Sequence, residues 1–505
     1  MRQHVEQILE RAADAYPDRV ALIDVGAAGA EVSEFTYGQW RAASLRWANW
    51  LQQADVRDGD RVALLGGNGL SFAAQWFGVI YAGCTVVPIP VTASADDARH
   101  RIEHAGCRVL LCDEERLPLA RETITNARQR PIVAVDSELA TEQGPTPVPF
   151  KHTESDEATA MILYTSGTTG QAKGACISHR ALVTHTRVLT DEVLMLDGHD
   201  RVLGVLPLTH SYGCRMLLLA VAHAGATAVL MPRFDAARSL SLIDAERITW
   251  VPAVPTMFAA WSNAVERDGD LKPRRGSLRW AMSAGAPIAD VLVERAETAL
   301  GTTVRQAYGL TEATLSTVNG PAHPRVIGSV GRPAPGVEVR VAESGEIWLR
   351  GHNTMSGYLD DPQATSETMQ DGWCRSGDVG RIDTEGNLWL VDRIKDVIIV
   401  GGFNVYPAEV EAVIAAHPDV SEVAVVGRPD DYYGEEVVAF IVRKAGSVID
   451  EITLLGWCAE RLSKVTRPRE VIFREQFPLG HSGKVLKRQL RSELDTQKDS
   501  DDGAT

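Results

Sequence analysis

The chain has 505 residues, too many for a single hydrophobic core, so two or more domains are expected. It is 45% hydrophobic and 23% charged, the make-up of a soluble globular protein. A formal net charge of −16 argues against a nucleic-acid partner, because phosphate backbones select basic surfaces; an anionic small ligand stays open, since local lysines and arginines can dominate a pocket.

Residues 1–17, MRQHVEQILERAADAYP, are charged throughout and read as an amphipathic helix, so no signal peptide is expected. From Val20 onward short β-rich runs alternate with helical patterns. Strands are predicted at 61–65, 86–90, 108–112, 131–136, 161–164, 201–206 and 227–232, with an apolar helix after 66–69 and another helix at 237–246. Strand, helix, strand at this spacing means parallel sheets covered by helices. The apolar stretch 216–231 is broken by His223 and Gly225; it is too short to span a membrane and belongs in a core. Near Arg393 the pattern changes. A helix at 405–416 entered through Pro407, strands at 420–426 and 437–442, a helix at 452–462 and a strand at 470–474 make a small α+β unit. The expected fold class is therefore α/β: a large N-terminal domain, residues 1–394, and a small C-terminal domain, residues 395–492. The polar end, 493–505, is expected to be disordered. Seven scattered cysteines (Cys84, Cys107, Cys112, Cys176, Cys214, Cys374, Cys458) contain no C-x-x-C. They suit a reducing cytoplasm and small buried side chains, not a zinc site.

Residues 164–174 read YTSGTTGQAKG and follow a buried-strand pattern. Glycines expose backbone N–H groups, and Thr165, Ser166, Thr168, Thr169 and Lys173 add donors, which is what polyphosphate binding requires. Taken alone, such a stretch is a flexible turn; the preceding strand and the lysine shift it toward phosphate. It is not a Walker loop, because Gly167 and Gly170 are too close and Gly174 follows the lysine.

Six further stretches are weak one by one. LPLTHSYG (206–213) carries His210, by itself a satisfied or surface histidine. MSAGAP (282–287) is a tight turn after a strand. QAYGLTE (306–312) offers a flat Tyr308, the Thr311 hydroxyl and Glu312, a hard ligand for Mg²⁺; alone it reads as a buried Tyr and a solvated Glu. WCRSGDVG (373–380) places Asp378 after a glycine in an expected turn, where it can accept from two ribose hydroxyls or cap the turn. Residues 391–411 join a charged cluster to Gly401-Gly402 and a helix start. PLGHSGKVLKR (478–488) presents a glycine-flanked lysine, Lys484.

In this order and spacing, the seven stretches resemble the adenylate-forming superfamily of acyl-CoA synthetases, aryl-CoA ligases, luciferases and peptide-synthetase adenylation domains, across residues 5–490. The resemblance implies a small β-rich subdomain in the large domain and a mobile small one. It implies attack of a carboxylate on the α-phosphate of ATP, giving acyl-AMP and pyrophosphate, then transfer of the acyl group to the thiol of CoA. Thr165, Ser166, Gly167, Thr168, Thr169, Gly170 and Lys173 would hold the phosphates. Thr311 would contact the α-phosphate, and Glu312 would hold Mg²⁺. Gly285, Ala286, Pro287, Tyr308 and Gly309 would line the adenine site, and Asp378, assisted by Arg393, would take the ribose. Lys484 would bridge the substrate carboxylate and the α-phosphate. Gly401, Gly402 and Phe403 would line the CoA tunnel after the small domain turns about Lys395. His210, catalytic by position, would also line the acyl pocket with Tyr212, Gly213, Val254, Ala284 and Leu315. Ala172 stands where the family has proline, and His481-Ser482-Gly483 where Thr-Gly is common; both departures keep the donors.

The leading expectation is thus a ligase for a fatty or aryl acid with ATP, Mg²⁺ and CoA. The alternatives are an enzyme loading a separate acyl carrier protein and a nucleotide-binding homologue without catalysis. An amino-acid substrate is disfavoured because the stretch 206–213 lacks the acidic residue that would hold an ammonium. Gly213 and Ala284 are expected to leave room for an elongated or ring-bearing acid. Arg215 is weighed as an anchor for a second carboxylate against a helix-surface side chain facing elsewhere, and the surface position is expected.

Overall fold

The computed structural model describes residues 3–27, 29–125, 127–128, 131–135, 155–165, 172–274, 276–430, 432–478 and 485–502, the last eight as backbone only. The chain divides into two compact units. One comprises Met1–Ala286, Val293–Val339 and Leu349–Arg375; the other comprises Pro287–Leu292, Arg340–Trp348 and Ser376–Thr505.

The first unit is built on two parallel-rich sheets, as the alternating pattern predicts. A seven-stranded sheet runs in the order Gly357–Tyr358, Lys173–Ser178, Thr159–Thr165, Thr85–Pro88, Arg61–Leu65, Val109–Cys112, Ile132–Val135. From Thr159–Thr165 through Ile132–Val135 the pairings are parallel; the other two strands join antiparallel. A nine-stranded sheet runs from Arg332–Pro333 at one edge to Ser33–Thr36 at the other, with six parallel strands between Thr303–Tyr308 and Val20–Asp24. Such strands bury both faces, which is why they read as continuous apolar runs without alternation.

Helix Tyr37–Gln53 starts at a capping box, in which Thr36 and Gln39 satisfy each other's backbone N–H groups. It packs on helix Leu70–Tyr81, where Trp40 donates from Nε1 to the Ala73 carbonyl at 3.1 Å. Trp40, Trp47, Trp76 and Phe77 are at most 1% exposed and anchor this core. Truncating any one of them to alanine removes roughly 3–5 kcal/mol of stability.

The second unit holds a five-stranded sheet. Strand Gly434–Arg443 lies between Val420–Asp430 and the parallel strand Glu470–Arg474, and the hairpin Ile398–Val400 and Phe403–Val405 extends the sheet. Its apolar residues alternate between two covered faces. Val425, Val437, Ala439 and Ile441 pack with helices Pro407–Ala415 and Glu451–Arg461; Ala424, Val426, Val438 and Phe440 pack with Leu490 and Leu494 of helix Lys487–Asp502. That last helix runs through 493–502 of the tail, 493–505, that was expected to be disordered. Its Arg, Glu, Gln and Lys residues are good helix formers, and burial of Leu490 and Leu494 holds its first turns.

Candidate active site

The predicted phosphate loop lies in sequence between two paired strands. Strand Thr159–Thr165 runs antiparallel to Lys173–Ser178, with Thr165 opposite Lys173. A Walker loop leads from a strand into a helix, so the register excludes it on topology as the spacing did on sequence. Ser166, Gly167, Thr168, Thr169 and Gly170 lie outside the described residues. Below them, Tyr164 is tied down at its hydroxyl, 2.8 Å from His104 Nδ1 and 3.2 Å from the Arg101 carbonyl.

Lys173 and Glu312 converge on one aromatic residue. The short strand Gly357–Tyr358 pairs with Ala175 and Cys176, and Leu359 N–H donates to the Gly174 carbonyl at 2.8 Å. This sets the Tyr358 ring 5.4 Å from Lys173 Nζ. The Tyr358 hydroxyl donates to Glu312 Oε1 at 2.6 Å, and Met355 N–H holds the Glu312 carbonyl at 2.8 Å. Asp361 Oδ2 stands 4.0 Å from Lys173 Nζ. Burial, then the Glu312 charge, push the Tyr358 phenol far above its usual range, so it remains a proton donor. A carboxylate has about four acceptor positions, so one hydrogen bond leaves Glu312 capacity for a hard cation. The motif reading missed Tyr358 and Asp361; the Gly-Tyr-Leu-Asp-Asp-Pro turn signal at 357–362 was the available clue.

QAYGLTE leaves strand Thr303–Tyr308 through a tight turn, with Leu310 N–H on the Ala313 carbonyl at 3.0 Å. Thr311 and Glu312 are half-buried there, and Tyr308 is buried. Nearby, Ala284 N–H donates to the Ala253 carbonyl, which brings the turn at Gly285 beside Val254. Ala286 closes a segment of the first unit and Pro287 opens one of the second. Asp378 lies within strand Trp373–Ile382, not in the expected turn. There it sits opposite Arg393, whose Nε is 2.9 Å from Asp378 Oδ1. An antiparallel pairing brings the two side chains to one face, which a turn would not.

His210 caps the short helix Ser211–Cys214, its Nδ1 accepting from Tyr212 N–H at 3.3 Å. Tyr212 is buried and donates to the Met282 carbonyl at 3.1 Å. Ala284 and Leu315 are buried and Val254 is half-buried. Two expectations fail here. A Cβ at Gly213 would stand 2.1 Å from the Pro207 carbonyl oxygen, so the missing side chain admits backbone and leaves no room for an acid. Arg215, expected on a helix surface, is 1% exposed. The run Arg215–Ala220 is buried on every side, so it has no solvent face for a charge to occupy.

In the second unit Gly401 and Gly402 form the tip of a hairpin, with φ of 57° and 85°. Phe403 beside them is 64% exposed. Lys395 lies in a single turn, Ile394–Asp396, where the Arg491 guanidinium donates to its carbonyl at 3.2 Å. Lys484 lies outside the described residues.

Residues 9–359 match the AMP-binding enzyme family, and residues 409–484 match the AMP-binding enzyme C-terminal domain. The chain belongs to the AMP-binding enzymes. It is similar to a feruloyl-CoA synthase of Amycolatopsis, at 36% identity over 90% of this chain and 93% of that one. It is also similar to a long-chain-fatty-acid–CoA ligase of Yersinia pestis, at 31% over 96% and 94%. Among solved structures it resembles the ATP-bound MatB from Rhodopseudomonas palustris, with a TM-score of 0.87, 28% identity and coverage of 97% and 99%. It likewise resembles the o-succinylbenzoate CoA synthetase from Bacillus subtilis in complex with its acyl-adenylate intermediate, with a TM-score of 0.85, 29% identity and coverage of 96% and 97%. Among the described residues no helix is long and apolar enough to cross a membrane.

Proposed function

We propose that this chain is an acid–thiol ligase that forms AMP: it activates a fatty or aryl carboxylic acid with ATP to acyl-AMP and pyrophosphate, then forms the thioester with CoA. The observation that carries the reading is the convergence of Lys173 and Glu312 on Tyr358, beside the antiparallel pair Thr159–Thr165 and Lys173–Ser178. Phosphoryl chemistry needs fixed cations and donors around the phosphates and a hard ligand for Mg²⁺, and the cluster supplies both. Glu312 would hold the metal, oriented by the Tyr358 hydroxyl; bound Mg²⁺ would neutralise charge on the phosphate oxygens. Lys173 would take the outer phosphates, with Thr165, Ser166, Gly167, Thr168, Thr169 and Gly170. Thr311 would take the α-phosphate. Asp378, pre-oriented by Arg393, would accept from the ribose hydroxyls. Lys484 would neutralise the approaching carboxylate and α-phosphate, and Lys395 would be the hinge for the thioester step. A reducing cytoplasm suits the seven free thiols.

The test is a panel of acids, from short to long chain plus aryl acids, supplied with ATP, Mg²⁺ and CoA. Acid-dependent pyrophosphate release followed by acyl-CoA formation is expected for one class. Pyrophosphate release with thioester only on an added carrier protein would replace CoA as the acceptor. No acid-dependent pyrophosphate exchange with any member would sink the reading.

A further inference from the structure

Among the described residues Arg215 has no answering charge. It opens a stretch of π-helix, Arg215–Ala220, in which all six residues are buried, and its Nε, Nη1 and Nη2 have no hydrogen-bond partner among the described residues. No carboxylate of those residues pairs with it. Burial brings the guanidinium down to about 10, and the neighbouring thiol of Cys214, itself pushed up to about 12, stays neutral and offers no counter-charge. The arginine is therefore charged at neutral pH in a site that water cannot freely solvate, an arrangement that is strongly unfavourable while it lacks a partner. Wide π-type turns of this kind occur often at functional sites.

Two imidazoles lie within electrostatic reach of it. His185 is fully buried, with the Thr314 backbone as the polar group that acts on its ring. His352 lies against it, ring centroids 5.1 Å apart, with Nε2 3.0 Å from the Pro335 carbonyl and a buried, unpartnered Nδ1. Burial and the Arg215 charge hold both imidazoles below their usual range, so neither adds a second cation and neither supplies a negative charge. The cluster also touches the wall assigned to the acyl group. Arg215 follows Ser211 by one helical turn, the Ser211 hydroxyl is 3.0 Å from Thr314 Oγ1, and the Thr314 backbone acts on His185. Thr314 precedes Leu315, and Tyr212 and Gly213 lie between Ser211 and Arg215. Gly213 itself is filled by the Pro207 carbonyl, so the vacant polarity lies deeper, at the guanidinium.

We propose that Arg215, lined by His185 and His352, binds a distal carboxylate, and that the natural substrate is a dicarboxylic acid whose other carboxylate is the one adenylated. This rests on the ligase reading and on the acyl pocket placed at Tyr212 and Leu315. A planar guanidinium matches a carboxylate with two parallel hydrogen bonds, and a buried charge of this sign discriminates against a methyl end, which would leave it unpaired.

The experiment compares straight-chain α,ω-diacids, from short to long, with the monoacid and the ω-methyl ester of each length. Pyrophosphate release is measured on the wild type, Arg215→Met and Arg215→Lys. At one length the wild type should favour the diacid over its monoacid by at least about tenfold in kcat/KM. Arg215→Met should abolish or invert that ratio, and Arg215→Lys should keep part of it. A ratio within one preparation does not depend on the fraction folded. Without ligand, Arg215→Met should melt at or above the wild-type temperature, because it removes an unpaired buried charge. Wild-type preference for monoacids at every length, an unchanged ratio in Arg215→Met, or a markedly lower melting temperature with an unchanged ratio would overturn the site. If no acid supports pyrophosphate release, the ligase reading fails instead, and the site is then judged by melting temperature alone. A diacid that stabilises the wild type but not Arg215→Met would uphold it, and equal shifts would remove it.

Discussion

At Tyr358 a single side chain serves two distant motifs, its ring beside Lys173 and its hydroxyl on Glu312. Tyr358→Phe keeps the ring and removes one charge-assisted hydrogen bond, worth about 1.5–3 kcal/mol. If Glu312 holds the metal, pyrophosphate release should fall roughly ten- to hundredfold, with a raised Mg²⁺ requirement and a lowered melting temperature. A Mg²⁺ titration identical to wild type would remove Tyr358 from that role. Lys173 and Glu312 stood out in the sequence because their types and neighbours match a chemistry. Tyr358 was not, because its place depends on which residue of a two-residue strand pairs with Ala175. Arg215 was misread for a related reason. Within an apolar run, one charge looks the same whether the helix shows a face to water or none, and only packing distinguishes the cases.

At the scale of elements, the strands and helices that were predicted lie within a few residues of those observed, because apolar periodicity is set by which faces are covered. Strand Gly434–Arg443 shows how, with Val437, Ala439 and Ile441 on one covered face and Val438 and Phe440 on the other. Turn chemistry was less readable. Gly401-Gly402 was assigned by resemblance to a thin tunnel; the structure adds that both residues have left-handed backbone at a two-residue hairpin tip. That geometry fits a type I′ turn, which itself favours glycine or Asn-Gly. The two demands separate experimentally. Gly401→Asn suits the turn, and its Cβ would meet Tyr433 Cδ1 at an ordinary 3.5 Å. It should leave the melting temperature and pyrophosphate release unchanged and slow thioester formation, if CoA passes there. Wild-type thioester rates from acyl-AMP and CoA would leave the glycine explained by the turn alone.

At the scale of the molecule, the residues proposed for the chemistry fall in two units with separate cores. Lys173 and Glu312 belong to the first, Asp378, Arg393 and Lys395 to the second. The half-reactions should therefore be separable. Lys484→Ala should lose acyl-adenylate formation, by roughly 3–4 kcal/mol of transition-state stabilisation if it resembles an oxyanion donor, yet still make thioester from supplied acyl-AMP. Normal pyrophosphate release in this variant would show that another group stabilises the charge.

By itself the sequence determined the α/β class and the family, because those follow from periodicity and from motifs in a set order. Tertiary structure alone decided three matters. Strands Thr159–Thr165 and Lys173–Ser178 pair antiparallel, Asp378 pairs with Arg393 across strands, and the missing side chain of Gly213 is spent on a backbone contact. It also buried Arg215 without a partner among the described residues. Each depends on strand register or on the closeness of chain segments remote in sequence, which local pattern does not encode.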